Sequence, residues 1–90
     1  MKPFAWDHGK NDKLIEERGI SFEEVQVAIA GGKLLDILNH PNPSKYPRQR
    51  MFIVKIEDYV YVVPFAEDDE KIFLKTIYPS RTATKKYLKK

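Results

Sequence analysis

Apolar residues recur at helical spacing in the first third of the chain and alternate with polar residues afterwards. Ser21 and Glu24 have the spacing of a capping box, which marks the start of a helix. Gly31 and Gly32 end the helical pattern. The sequence therefore predicts a helix over residues 22–30. The residues that give it one apolar face are Phe22, Val25, Ala28 and Ile29.

A thinner apolar stripe precedes this helix. Asp7 is a typical N-cap residue and Gly19 is a typical residue after a helix end, so the sequence predicts a helix from about residue 8 to 18. The residues before it allow a short strand around Phe4–Trp6. The apolar side of this predicted helix consists of Leu14 and Ile15.

After Gly32 the pattern becomes the alternation of β-strands. In the third predicted strand, Pro64 lacks an N–H group, which predicts a bulge or an edge position there. In the fourth, alternation places Tyr78 on the same face as Ile72 and Leu74. The predicted strands are Lys33–Asn39, Gln49–Ile56, Tyr59–Phe65 and Lys71–Tyr78.

Short connections join these strands and favour antiparallel neighbours. Three prolines make residues 40–47 a loop, Glu57-Asp58 is a tight connection, and residues 67–70 are an acidic turn. Residues 80–84 then lead into a short basic helix that ends at Lys90. The sequence predicts one α+β domain over residues 1–90, in which an antiparallel four-stranded meander is packed by two N-terminal helices in two layers.

Composition excludes several classes of protein. The 90 residues include no cysteine, which excludes disulfides and thiolate metal sites. The longest nearly apolar run has eight residues and contains Pro64, so we expect no membrane span, and we expect a cytoplasmic location. No glycine-rich phosphate loop and no metal-ligand spacing is present, and we therefore predict no metal and no cofactor.

The net charge of +3 hides a strong asymmetry along the chain. Residues 1–70 hold nine Lys/Arg and thirteen Asp/Glu, whereas residues 71–90 hold seven Lys/Arg and no acid. Such asymmetry is typical of proteins that meet a polyanion or an acidic protein. It is also compatible with a solvated helix whose lysines favour its carbonyl end.

Cations interleaved with aromatic residues suit the cleavage of RNA without a metal. The 2′-hydroxyl of RNA is an internal nucleophile, so the protein needs a cation at the phosphate and groups that move protons. Trp6 and Tyr87 are further stacking candidates, and His40 is a further proton carrier. The candidate catalytic residues, which must converge on one cleft, are Arg50, Arg81, Lys10, Lys75 and His8. The candidate RNA-binding residues are Arg48, Lys45, Tyr46, Tyr78, Lys85 and Lys86.

Both ends of the chain resemble the BrnT toxins. The opening resembles that family's Phe-x-Trp-Asp, with a Lys three residues after the Asp and a later Gly-Val-Ser-Phe-Glu-Glu. The ending resembles its Arg-x-Ala-Thr followed by basic residues. The matching residues here are Phe4-Ala5-Trp6-Asp7, Lys10, Gly19-Ile20-Ser21-Phe22-Glu23-Glu24, Arg81-Thr82-Ala83-Thr84 and Lys85-Lys86.

This resemblance implies a RelE-like fold and the toxin of a type II toxin–antitoxin pair, a ribonuclease that halts translation and is neutralised by a cognate antitoxin. Lys10, Arg81 and Arg50 carry over by position. The chain departs from the family pattern at four places. Leu14 stands where Asn is common, Glu17-Arg18 where Lys-His is common, Thr76 where a strand arginine is common, and Tyr78-Pro79-Ser80 where Ser-Ala is usual.

Two other functions fit the same charge distribution. A non-catalytic nucleic-acid binder needs the cations but no groups at a scissile phosphate. A protein-interaction module needs only an acidic partner for the basic C-terminal fifth of the chain.

Overall fold

Both N-terminal helices begin and end where their capping residues predict. The computed structural model describes residues 1–88 and starts with strand β1 (Phe4–Ala5) and helices α1 (His8–Arg18) and α2 (Phe22–Ala30). Asp7 accepts a hydrogen bond from the Lys10 N–H, and Gly19 adopts the left-handed φ of 67° that ends α1. Both hydrogen bonds of the predicted capping box at α2 are present.

Within residues 1–88, β1 and five later strands form one mixed sheet, and with three helices this makes an α+β structure. The strand order is β1-β5-β4-β3-β2, and β6 also pairs with β4. All pairs are antiparallel except β1 with β5, an edge that the predicted four-stranded meander lacks. The remaining elements are β2 (Leu34–Asn39), β3 (Gln49–Ile56), β4 (Tyr59–Glu67), β5 (Ile72–Leu74), β6 (Tyr78–Pro79) and α3 (Arg81–Leu88).

The last helix starts earlier than predicted, at Arg81. The Ser80 hydroxyl accepts a hydrogen bond from the Ala83 N–H at 3.0 Å, as an N-cap serine does. Residues 80–84 therefore belong to the helix and its cap, and not to a connection that leads into it. The predicted helix end at Lys90 lies outside the described residues.

The predicted strand Lys71–Tyr78 is wrong, because one extra residue divides it into β5 and β6. Three steps along β4, from Val62 to Phe65, face four steps between Leu74 and Tyr78. The extra residue reverses the alternation of side chains. Ile77 consequently lies in the core at 0% exposure, and Tyr78 is 39% exposed.

Pro64 lies opposite this irregularity. The pairing of β4 with β3 is continuous, so the predicted bulge or edge position of the strand that holds Pro64 is wrong. The Pro64 carbonyl accepts a hydrogen bond from the Lys75 N–H at 2.8 Å. The nitrogen and the carbonyl of a strand residue face the same side, so the Pro64 nitrogen faces the stretch between β5 and β6. Hydrogen-bonded pairing with β4 is already interrupted in that stretch, so the N–H group that proline lacks is not needed there.

The sheet has a core on each face. The larger core lies under α1 and α2, as predicted, and includes Leu14, Val25, Phe52 and Phe65. Side chains on the opposite face pack against α3, so the predicted two-layer arrangement is wrong and α3 adds a third layer. The buried residues of this smaller core are Ile53, Val60, Val62 and Ala83.

The predicted tight connection between β3 and β4 is present. Ile56 pairs with Tyr59, and only Glu57 and Asp58 lie between them. Glu57 adopts a φ of 57°, a left-handed conformation that costs a residue with a side chain about 1 kcal/mol.

The helices of the described range are short and mixed in polarity. Within residues 1–88, none of them has both the length and the apolar character that crossing a membrane requires.

Candidate nucleic-acid interface

The start of α3 is fixed to β4 by backbone and hydroxyl hydrogen bonds. The Ser80 N–H donates to the Val60 carbonyl at 3.0 Å. The Thr84 hydroxyl accepts from the Val60 N–H at 3.0 Å and donates to the Ser80 carbonyl at 2.7 Å. The first turn of α3 therefore has a defined position on the sheet, and the side chains it carries are held at one place.

The residues around this turn form an exposed basic surface, here called the C-terminal cationic surface. Within residues 1–88, none of its cations is in an ion pair. Arg81 occupies the first position of α3, where the helix dipole disfavours a cation and favours an anion. An anion placed there would meet both Arg81 and the unpaired N–H groups of the first turn. The surface consists of Lys75, Tyr78, Arg81, Lys85 and Lys86, all of them exposed.

The far end of α3 is attached to the edge strand β2. The Tyr87 hydroxyl donates to Asp36 Oδ2 at 2.7 Å. This hydrogen bond from Tyr87 is the main cause of the lowered pKa of the Asp36 carboxyl, and it raises the pKa of Tyr87. Tyr87 is half-buried and serves the fold in this position, although the sequence made it a stacking candidate.

Trp6 is a second stacking candidate that faces the protein. Its ring stacks on Phe22 with centroids 5.6 Å apart, and it packs against the larger core. Its indole Nε1 is buried without a hydrogen-bond partner in the described residues. Tyr78 is therefore the aromatic candidate that the fold places at the C-terminal cationic surface.

The charge of Arg50 is neutralised within the protein. Its guanidinium lies 2.6 Å from Glu67 Oε1 and 5.4 Å from the centre of the Phe65 ring. Glu67 also accepts from Lys2 Nζ at 2.8 Å. Hydrogen bonds from Lys2 and then Arg50 lower the pKa of Glu67. Arg50 is thus one part of a three-residue network that ties the N-terminal segment to the sheet.

Arg50 and Arg81 do not converge on one cleft. Arg50 pairs with Phe65 near the end of β4, whereas Ser80, next to Arg81, bonds Val60 near its start. Five residues of strand separate these positions, or about 17 Å. Arg50 and Phe52 lie on the same face of β3, which is the face that α1 and α2 cover. The opposite face is covered by α3. The predicted single cleft is therefore not formed by these two arginines.

The second basic cluster of the sequence lies with Arg50, far from α3. Arg48 precedes β3 and, with Arg50, lines a cleft of about 240 Å³ whose other charged residues include Glu67 and Asp68. In the neighbouring loop, the His40 and Tyr46 rings lie 4.4 Å apart, and Lys45 Nζ is 5.5 Å from the Tyr46 centroid. His40 Nδ1 accepts from the Asn42 N–H at 3.0 Å, so that nitrogen is already occupied.

His8 and Lys10 lie in the first turn of α1, directly after β1. Because β1 and β5 are parallel, with Ala5 opposite Phe73, the residues that follow both strands lie at the same edge of the sheet. Lys75 follows β5. The topology therefore places His8 and Lys10 near the same strand ends as Lys75, but in α1, on the face opposite α3.

Two residues that sequence reasoning missed hold α1 against its neighbours. Asn11 is 5% exposed; its Oδ1 accepts from the Phe22 N–H at 2.8 Å and its Nδ2 donates to Glu23 at 2.7 Å. Arg18 donates to the Ile77 carbonyl and so holds α1 against the irregular stretch after β5. Asn11 precedes Leu14 by three residues and therefore lies on the same face of α1, which indicated from the sequence that Asn11 is buried.

The C-terminal cationic surface presents exposed cations and an exposed aromatic ring to solvent. Within residues 1–88, no three His, Asp or Glu side chains lie together as a metal site requires. No model of a known protein family matches the chain, and no curated protein matches it either.

Proposed function

We propose that this protein is the toxin of a type II toxin–antitoxin pair, a metal-independent endoribonuclease of the cytoplasm that inhibits translation. The observation that carries the proposal is the C-terminal cationic surface, where exposed cations and Tyr78 surround the first turn of α3. The resemblance of both chain ends to BrnT toxins supports it, as does a sheet packed by helices, which a RelE-like fold also has.

In this proposal, Arg81 binds the scissile phosphate. Its planar guanidinium donates to two phosphate oxygens, and the N–H groups of the first turn of α3 add further donors. Tyr78 stacks on a neighbouring base that has left the RNA stack. Lys85 and Lys86 contact phosphates farther along the strand.

The chemical step then needs only proton transfers. The 2′-oxygen bonds to phosphorus while the bond to the 5′-oxygen breaks; one proton leaves the 2′-hydroxyl and another reaches the 5′-oxygen. Lys75 is the candidate for these transfers because it lies on the same exposed surface as Arg81, whereas His8 belongs to α1, on the opposite face of the sheet. An acidic antitoxin would neutralise the protein by covering the same cations.

A non-catalytic RNA-binding module is the second candidate function. The separation of Arg50 from Arg81 favours it, since cleavage by two guanidinium groups needs both at one phosphate. Binding without turnover needs only the C-terminal cationic surface.

Cleavage of single-stranded RNA in the presence of EDTA tests the proposal. We expect the purified protein to cleave, and Arg81→Ala to reduce the rate about 100-fold, the effect of losing a donor to a developing anion. Arg48→Ala is the matched control, because it removes the same charge at the opposite end of β4. We expect its rate to stay within about threefold of the wild type.

RNA that stays intact with folded wild-type protein would contradict the nuclease. Tight RNA binding in the same samples would then select the non-catalytic module. Growth arrest on expression separates both from a protein-interaction module if Arg81→Ala relieves the arrest at an unchanged protein level.

A further inference from the structure

A groove lies between α2 and the end of β3, on the face of the sheet opposite α3. Its volume is about 430 Å³, within the range of about 300–1,000 Å³ that is typical of ligand sites. Apolar side chains form its floor: Val27 and Ala28 from α2, and Ile56 from β3. Val27 is 71% exposed, so this floor is open to solvent.

Opposite charges stand at the two ends of this α2 groove. Glu23 and Glu24 line it at the start of α2, and Lys33 lines it just after α2 ends, with Lys55 beside it. The Lys55 N–H donates to the Lys33 carbonyl at 3.0 Å, which fixes the two lysine backbones together. A hydrogen bond from Asn11 is the main cause of the lowered pKa of Glu23, so this carboxyl stays ionised.

We propose that the α2 groove binds an amphipathic helix of a partner protein, oriented antiparallel to α2. The nine residues of α2 span about 13 Å, so the acidic and basic ends of the groove are about eight helical residues apart. A helix in the groove therefore needs an acid near Lys33, apolar residues over Val27, and a base near Glu23 about eight residues after the acid.

The antiparallel direction follows from the same charges. An acid at the N-terminal end of the bound helix and a base at its C-terminal end stabilise that helix through its own dipole. This order brings the acid to Lys33 and the base to Glu23 and Glu24 only when the helix runs against α2. The inference does not depend on the proposed nuclease, because the groove and α3 lie on opposite faces of the sheet.

The test uses two synthetic helical peptides of about 14 residues with the same composition. One carries Glu near its start, leucines in the middle and Arg eight residues after the Glu; the other has the Glu and Arg exchanged. We expect the first to bind at least tenfold more tightly than the second. Amide chemical shifts of the labelled protein should change at residues 23–28, 33 and 55–57.

Three variants show where the peptide binds. The control variant distinguishes a loss of binding from a loss of folding. Val27→Lys places a charge on the exposed floor and should weaken binding of the first peptide at least tenfold. Ile15→Lys, on the half-exposed side of α1, is the matched control and should bind as the wild type does. Lys33→Glu should reverse the preference between the two peptides.

Three outcomes would overturn the proposal. Equal binding of both peptides would show that the charges of the groove select nothing. Shift changes that map away from α2 would place the peptide elsewhere. Self-association of the protein that Val27→Lys abolishes would assign the groove to a second copy of this chain.

Discussion

Asn11 joins the first two helices through a single buried amide. The Asn11 side-chain oxygen accepts a hydrogen bond from the Phe22 N–H at the start of α2. An apolar residue in place of Asn11 would leave this N–H without a partner. We expect Asn11→Ala to lower the free energy of unfolding by about 2 kcal/mol, the cost of an unsatisfied buried donor. Urea denaturation followed by circular dichroism measures this difference.

Asp12→Ala is the control for Asn11, since Asp12 lies next to it on α1 and is exposed. Its effect should stay within about 0.5 kcal/mol. Equal stability of the Asn11 variant and the wild type would mean that water replaces the amide and that α1 does not fix the start of α2.

At the scale of the element, the extra residue between β5 and β6 decides which side chain is buried. Ile77→Ala should lower the free energy of unfolding by about 3 kcal/mol, because the cavity forms in a fully buried position. Thr76→Ala should have little effect, although simple alternation would bury Thr76 with Leu74. A larger loss for Thr76→Ala in urea denaturation would contradict the irregular register.

The attachment of α3 to β2 should depend on pH. Because the pKa of Asp36 is lowered from its ordinary 3.8, the hydrogen bond from Tyr87 contributes stability above about pH 4 that is lost as the pH falls. Because the pKa of Tyr87 is raised from its ordinary 10.0, the same contribution is lost as the pH rises above about 10.

Tyr87→Phe removes this hydrogen bond and should destabilise the protein most between these two limits. Urea midpoints of both proteins at pH 3, pH 7 and pH 10.5 test this expectation. The gap between them should be largest at pH 7. A gap that is the same at all three values would show that only packing, and not the hydrogen bond, was lost.

At the scale of the whole molecule, the separation of charge predicts how RNA binding responds to salt. About four phosphate contacts at the C-terminal cationic surface give a slope of about −3 for log affinity against log salt with single-stranded RNA. Arg81→Ala should reduce the slope by about 0.7. Fluorescence anisotropy with a labelled oligonucleotide measures both slopes.

Arg48→Ala again serves as the control, because Arg48 lies at the other end of β4. Its slope should equal that of the wild type. A smaller slope for Arg48→Ala than for Arg81→Ala would move the RNA to the cleft beside Arg50.

Local chemistry made much of the fold predictable. Ser21, Glu24 and Gly19 act within a few residues of their own position, so the bounds of α1 and α2 follow from the sequence. The alternation of β3 likewise assigns Phe52 and Ile53 to opposite faces, where the two cores contain them.

Features that depend on distant residues were not predictable in the same way. The irregular register near Ile77 is seen only against β4, and the parallel pairing of β1 needs β5 beside it. The same holds for the candidate site. Arg50 on β3 forms an ion pair with Glu67 on β4, and the order of residues alone does not show that this pair neutralises the charge of Arg50.

The stack of Trp6 on Phe22 gives the molecule a built-in optical reporter. Trp6 is the one tryptophan of the chain, and it packs against the core beneath α1 and α2. Its emission therefore follows the loss of that core and is insensitive to detachment of α3 on the other face. If ellipticity begins to change at a lower denaturant concentration than emission, the C-terminal helix comes away before the rest, and unfolding is not a single cooperative event.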